Sequence, residues 1–155
     1  MGEVWHGEVE WAAYHRGIRV PTGSTVEPDL QIAWVQHPAP QQIQRLGAHF
    51  GIPAPILART AEQHLRARVD RHGAVTFFSL RPARYLDQTE QVQFGELQLI
   101  VGEGYVVLLG KCGFFPLGPF VDKLEGRPDQ LQHGASAVLH AALDGVVDTY
   151  EPVIV

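Results

Sequence analysis

Asparagine is absent from this chain, methionine occurs once (Met1), cysteine once (Cys112), and lysine twice against ten arginines. A single thiol excludes an internal disulfide framework and suits a reducing compartment, where Cys112 reads as a buried, inert side chain. The arginine bias and the missing asparagine point to a GC-rich genome rather than to a function. Long apolar runs are missing too. The longest, Tyr105–Leu109 and Val153–Val155, fall far short of the roughly 20 residues that span a bilayer. The opening MGEVWHGEVEW has no basic region followed by an apolar core, so it is not a signal peptide. The chain by itself is therefore expected to be soluble and unable to conduct ions. Positive charge is also scarce. A net charge of -5 with histidines neutral argues against a nucleic-acid partner.

What is present is the composition of a globular domain. The 155 residues are 45% hydrophobic and 19% charged, enough to bury one core and neither disordered nor fibrous. Trp5, Val9 and Trp11 alternate with Glu8 and Glu10, the pattern of a half-buried strand. A turn at His15-Arg16-Gly17 returns the chain along Ile18–Val20. Leu30–Val35 reads as a buried strand. Gln41–Phe50 carries Ile43, Leu46 and Phe50 at helical spacing with Gly51 as its stop, and 53 to about 63 as a second short helix. Ala74–Leu86, Phe94–Val101 and Tyr105–Leu109 read as strands, the last two joined by the Gly102-Glu103-Gly104 turn. Phe120, Val121 and Leu124 suggest a helix ending near Gly126. A final helix from Ala135 to about Tyr150 has Leu139, Leu143, Val146 and Tyr150 as its apolar stripe. Interleaved strands and helices predict one α/β domain over residues 1–155, a central mixed parallel/antiparallel sheet flanked by helices.

Several apparent sites fail on spacing. Gly102-x-Gly104 lacks the third glycine and the following helix of a phosphate loop, and Gly110-Lys111-Cys112 lacks the hydroxyl residue and upstream glycine of a Walker loop. Eight histidines include no HxxxH or HExxH pair, and the lone cysteine has no CxxC partner. His140, Asp144 and Asp148 have better credentials. At i, i+4 and i+8 they form one polar stripe opposite the apolar one. Asp144 and Asp148 can hold a hydrated Mg²⁺ weakly through outer-shell water, while the plain alternative is a solvated helix face. Arg59, Arg66, Arg68, Arg71, Arg81 and Arg84 crowd a stretch with few acids. They read as a solvated or subunit-facing surface, with an anion-binding patch as the alternative.

The order of local motifs resembles the N-terminal cytoplasmic domain of the CorA family of magnesium and divalent-cation transporters. Phe50 to Tyr85 follows that family's course of a helix, then an "HQRPKVD"-like segment, then a strand ending in an aromatic residue. His64-x-Arg66-x-Arg68-Val69-Asp70 matches that segment, with arginine replacing lysine. Val9–Tyr14 with Gly17–Val20 is similar to the opening hairpin of actinobacterial members, and Ala33-Trp34-Val35 to the family's "W-I-x-L" strand. Phe94-Gly95-Glu96-Leu97 with Val106-Val107 is similar to its "GE(L/I)…FVVT" hairpin. Ala137–Ala141 through Asp144, Val146–Asp148 and Tyr150 resembles "AVLHAxxDxVVDxY".

The resemblance implies a cytoplasmic regulatory and assembly domain, placed against the plasma membrane through a stalk helix and two membrane helices that this chain lacks. It implies identical subunits as partners, five to a funnel, with divalent cations as the transported and sensed species. It implies no enzyme and no tightly bound cofactor. The family's pore signature Gly-Met-Asn is missing from these residues. Leu57-Ala58-Arg59 stands where the family has Leu-Glu-Asp, so a cation replaces a carboxylate that helps bind regulatory Mg²⁺. Glu151 is a second departure, a carboxylate close to Asp148. Two other readings remain at this stage. One is a stand-alone soluble binding module that kept the fold and lost transport. The other is an enzyme using a deep pocket lined by Arg66, Arg68 or Arg71 with a histidine.

Overall fold

A computed structural model describes residues 6–62, 64 and 66–154. In chain order the elements are β1 (Glu10–His15), β2 (Ile18–Arg19), β3 (Leu30–Gln36), α1 (Pro40–Phe50) and α2 (Ala54–Ala61). They continue with β4 (Arg68–His72), β5 (Val75–Leu80), β6 (Ala83–Leu86), β7 (Gln91–Phe94), β8 (Leu97–Gly102) and β9 (Tyr105–Gly110). The chain ends in α3 (Leu117–Glu125), α4 (Pro128–Leu131), α5 (Ala135–Asp148) and α6 (Glu151–Ile154). Seven strands form one sheet in the order β2-β1-β3-β9-β8-β5-β4, and β6 and β7 form a separate two-stranded sheet. β3 and β9 run parallel, while the other neighbours are antiparallel: β1–β2, β4–β5 and β8–β9 as hairpins, and β1–β3 and β5–β8 across intervening strands. This is the mixed sheet flanked by helices that the pattern predicts.

Strand alternation divides the interior into two cores. Ile32, Leu99, Val106 and Leu108 point to the face covered by α3, α4 and α5, where they meet Val121, Leu124, Val138 and Ala142. Ala33, Val35, Ile100, Val107 and Leu109 point the other way, against Ile43, Leu46 and Ile56 of α1 and α2. Every residue of β9 is buried, which explains its unbroken apolar run: a strand covered on both faces has no polar side to show. Each fully buried aliphatic side chain contributes about 1.5–3 kcal/mol, so this central strand anchors both cores.

Five expectations need correction. The strand expected over Ala74–Leu86 is two strands, because Arg81-Pro82 intervenes and proline has no N–H for the ladder. β6 departs there to pair with β7, and Gly95 donates back to the Pro82 carbonyl at 2.8 Å. Likewise Phe94 closes β7 and a new strand starts at Leu97, across Gly95-Glu96. At the N-terminus Trp5 lies outside the described residues; Val9 is half-buried, but Trp11 is 44% exposed and packs on His49 and Phe50. Tyr14, three residues onward and on the opposite face, is the buried anchor instead. The second short helix stops at Ala61, and Gln63 lies outside the described residues.

The fifth correction concerns α5. Its buried stripe is Val138, Ala142 and Val146, whereas Leu143 is 41% exposed. Both stripes are apolar in sequence, and contact with the small-residue flank decides between them. A side chain at Gly145 would approach Phe115 Cζ to 3.1 Å, so the glycine lets that ring pack close. Leu139 and Tyr150 are partly buried, and the expected Leu143 faces outward.

Gln36, at the end of β3, organises the Gly/Pro-rich loop after β9. Its amide nitrogen donates to Cys112 O at 2.6 Å, and its amide oxygen accepts from Leu117 N at 3.1 Å, at the otherwise uncapped start of α3. Gly110 leaves room for it, since a Cβ there would sit 2.4 Å from Gln36 Nε2.

Candidate functional site

The polar stripe of α5 forms as its spacing predicts. His140 Nε2 lies 3.3 Å from Asp144 Oδ2, with both side chains mostly exposed, and Asp148 follows one turn later. Asp144 and Asp148 line one wall of a cleft of about 90 Å³ whose floor includes Phe120, Leu124 and Ala141. Lys123 and Arg127 stand on the α3–α4 wall of the same cleft. Two solvent-facing carboxylates are chemically suited to water-mediated contact with a hydrated divalent cation. The two cations lining the same cleft raise the local potential and so weaken any hold on a metal. Among the described residues no group of three or more His, Cys, Asp or Glu is placed to hold a metal ion.

The arginine-rich stretch is dispersed rather than convergent. Arg59 pairs with Glu62 at 2.8 Å and Asp70 at 3.8 Å, and Arg68 pairs with Asp70 at 2.5 Å and Glu62 at 3.9 Å. This lattice ties the end of α2 to β4, but each exposed pair is worth only about 0.2–1 kcal/mol. Arg66 and Arg71 are exposed, Arg71 donating to Gly73 O at 3.0 Å. Arg81 donates to His64 O at 2.7 Å, and Arg84 lies 5.0 Å from the Phe114 ring centroid. The deep arginine–histidine pocket that an enzyme reading requires is not where these side chains go. Arg66 and Arg71 face solvent, and Arg68 is spent on Glu62 and Asp70.

A polar cluster that sequence reasoning missed lies under α2. Strand register puts Ser79 opposite Gln98 and Gln98 opposite Leu109, so Ser79, Gln98, Glu96 and Lys111 share one sheet face. Ser79 Oγ donates to Glu96 Oε2 at 2.6 Å. Lys111 Nζ and Gln98 Nε2 both donate to Thr60 O, at 3.0 and 3.4 Å. His64 Nε2 is 2.8 Å from Arg59 O. Burial pushes the Lys111 ammonium below the usual lysine range, with Glu96 opposing that shift. The same effect pushes the Cys112 thiol up, which agrees with an inert thiol. The signal that pointed here was slight: single polar residues, Ser79 and Gln98, inside runs of apolar ones.

The sheet order, the two helical layers and the position of α2 beside β4 bear on what this chain is. The CorA-like Mg²⁺ transporter protein family matches residues 29–155. The chain belongs to that family. Among curated proteins no sequence relative matches significantly. Solved structures agree on the fold. The soluble domain of CorA from Methanocaldococcus jannaschii superposes with a TM-score of 0.71 at 11% identity, covering 94% of this chain and 58% of that one. The full-length CmaX protein gives 0.68 at 18% identity, covering 99% and 49%. The ZntB cytoplasmic domain from Vibrio parahaemolyticus RIMD 2210633 gives 0.63 at 10% identity, covering 97% and 62%. This CorA-like chain therefore spans between 49% and 62% of the length of these structures. Among its described residues no helix is long and apolar enough to cross a membrane.

Proposed function

We propose that this chain is the cytoplasmic regulatory and assembly domain of a CorA-like divalent-cation transporter, neither conducting ions nor catalysing a reaction itself. The family match over residues 29–155 carries the reading, and the likeness to the CorA and ZntB soluble domains supports it. In this reading identical subunits, five to a ring, are the partners, and the cation is Mg²⁺ or a close relative. Asp144 and Asp148 hold that cation weakly through its water shell. Arg59, bound to Glu62 and Asp70, occupies the place where the family resemblance implies a carboxylate, so metal sensing does not run through that position. Reading the source gene beyond the codon for Val155 tests the assignment. A frame running into a long charged helix and two apolar segments bearing Gly-Met-Asn is expected; a stop codon at that point would overturn it in favour of a stand-alone binding module.

A further inference from the structure

We propose that the depression beside the carboxyl end of β9 binds a small anion, a carboxylate- or phosphoryl-bearing ligand, between Lys111 and Arg81. The depression measures about 380 Å³ and includes Thr60, Glu62, Arg81, Phe94, Glu96 and Lys111 in its lining. Ligand pockets of roughly 300–1,000 Å³ are usual, and open α/β sheets bind ligands beyond the carboxyl ends of their strands.

Charge accounting favours an anion over a cation. Glu62 is already neutralised by Arg59 and Arg68. Glu96 has one oxygen committed to Ser79. Against that one remaining carboxylate stand two cations with unused donors. An ammonium has three N–H groups and a guanidinium five. Lys111 spends one on Thr60 O and Arg81 one on His64 O. A carboxylate or phosphoryl group accepts several such charge-assisted bonds at once.

The ground beneath the depression is unusually polar for a core. Thr60, His64, Ser79 and Gln98 are the buried polar side chains among the described residues. Each bonds at or near the depression: Gln98 to Thr60 O, Ser79 to Glu96, Thr60 Oγ1 to Leu57 O, and His64 to Arg59 O while its own carbonyl accepts from Arg81. The amide oxygen of Gln98 is buried without a partner. Gln98 and Lys111 donate to the same Thr60 carbonyl, which ties the ammonium at the depression to the buried layer beneath it. A half-buried ammonium loses part of its hydration at a cost in stability, and a bound anion offsets that cost by pairing with Lys111. Phe94, 54% exposed, gives the mouth an apolar wall for the organic part of a ligand.

The test is calorimetric titration and thermal unfolding of the chain with inorganic phosphate and, separately, with acetate, against chloride at equal ionic strength. We expect a saturable, single-site response to at least one. Phosphate alone would indicate a phosphoryl ligand, and acetate a carboxylate. Lys111→Gln removes the charge, and Phe94→Glu places a like charge at an exposed mouth without disturbing the core. Each should weaken binding about tenfold or more, the worth of a charge-assisted bond, while Arg45→Gln, at an exposed α1 residue outside the lining of the depression, changes nothing. A response matched by chloride, or undiminished in either folded variant, means an adventitious ion only and overturns the proposal.

Discussion

Gly17 shows how one residue joins two parts of the molecule. It follows Arg16 in the turn between β1 and β2, and both have positive φ, 50° and 81°, as a tight type I′ hairpin requires. Sequence made this turn legible. It did not reveal that a Cβ on Gly17 would lie 2.2 Å from Pro128 O and 2.9 Å from Gln132 N, so the hairpin tip is seated against α4. Gly17→Ala is therefore expected to cost about 2 kcal/mol or more, from backbone strain added to the clash. Urea unfolding measures it; a loss below about 0.5 kcal/mol, the range of an ordinary surface change, would mean α4 does not rest on the turn. Tyr14 works in the same region. Its ring is fully buried, and its hydroxyl donates to Glu125 Oε1 at 2.7 Å. Burial, helped by that bond and the Glu125 charge, raises its pKa well above the usual tyrosine value. A raised pKa means the folded state holds the proton more tightly. The resulting stability is complete below the ordinary tyrosine pKa near 10 and fades as pH rises beyond it.

At the scale of elements, α5 separates two patterns that the sequence could not rank. Leu139, Leu143, Val146 and Tyr150 repeat helically, and so do Val138, Ala142 and Val146. Packing chose the second, which meets the sheet-side core, and Gly145 on its flank lets the Phe115 ring come close. The choice can be tested. Val138→Ala should cost about 2 kcal/mol, as large-to-small changes in a core do. Leu143→Ser should stay within about 0.5 kcal/mol. Equal losses in chemical denaturation would mean the helix is rotated. The edge strand β4 makes a similar point about local chemistry. Its Arg68, Asp70 and Arg71 break up an edge that could otherwise pair with another chain. Sequence reasoning saw these as a motif and as a charged surface, but not as a strand, because the apolar alternation of a strand is missing there.

Over the whole molecule, two cores back to back leave the polar stripe of α5 facing solvent on one side and the Lys111 cluster under α2 on the other. If Asp144 and Asp148 hold hydrated Mg²⁺, thermal unfolding should show a small Mg²⁺-dependent rise in Tm that disappears in Asp144→Ala/Asp148→Ala. A rise that survives the double substitution would sink the assignment. The sequence by itself determined the class of fold, the central apolar strands, most helix ends and the family, because periodicity, turn residues and motif order are local and survive any arrangement in space. It also placed His140, Asp144 and Asp148 on one face, since helical geometry alone brings i and i+4 together. The tertiary structure decided the rest. Pro82 sends β6 out of the main sheet, a helix with two usable faces buries the one that lets Phe115 pack, and the pairing of β5, β8 and β9 gathers Ser79, Gln98, Glu96 and Lys111. Those are outcomes of contacts between residues far apart in the chain, where shape and register choose among options that local pattern leaves equal.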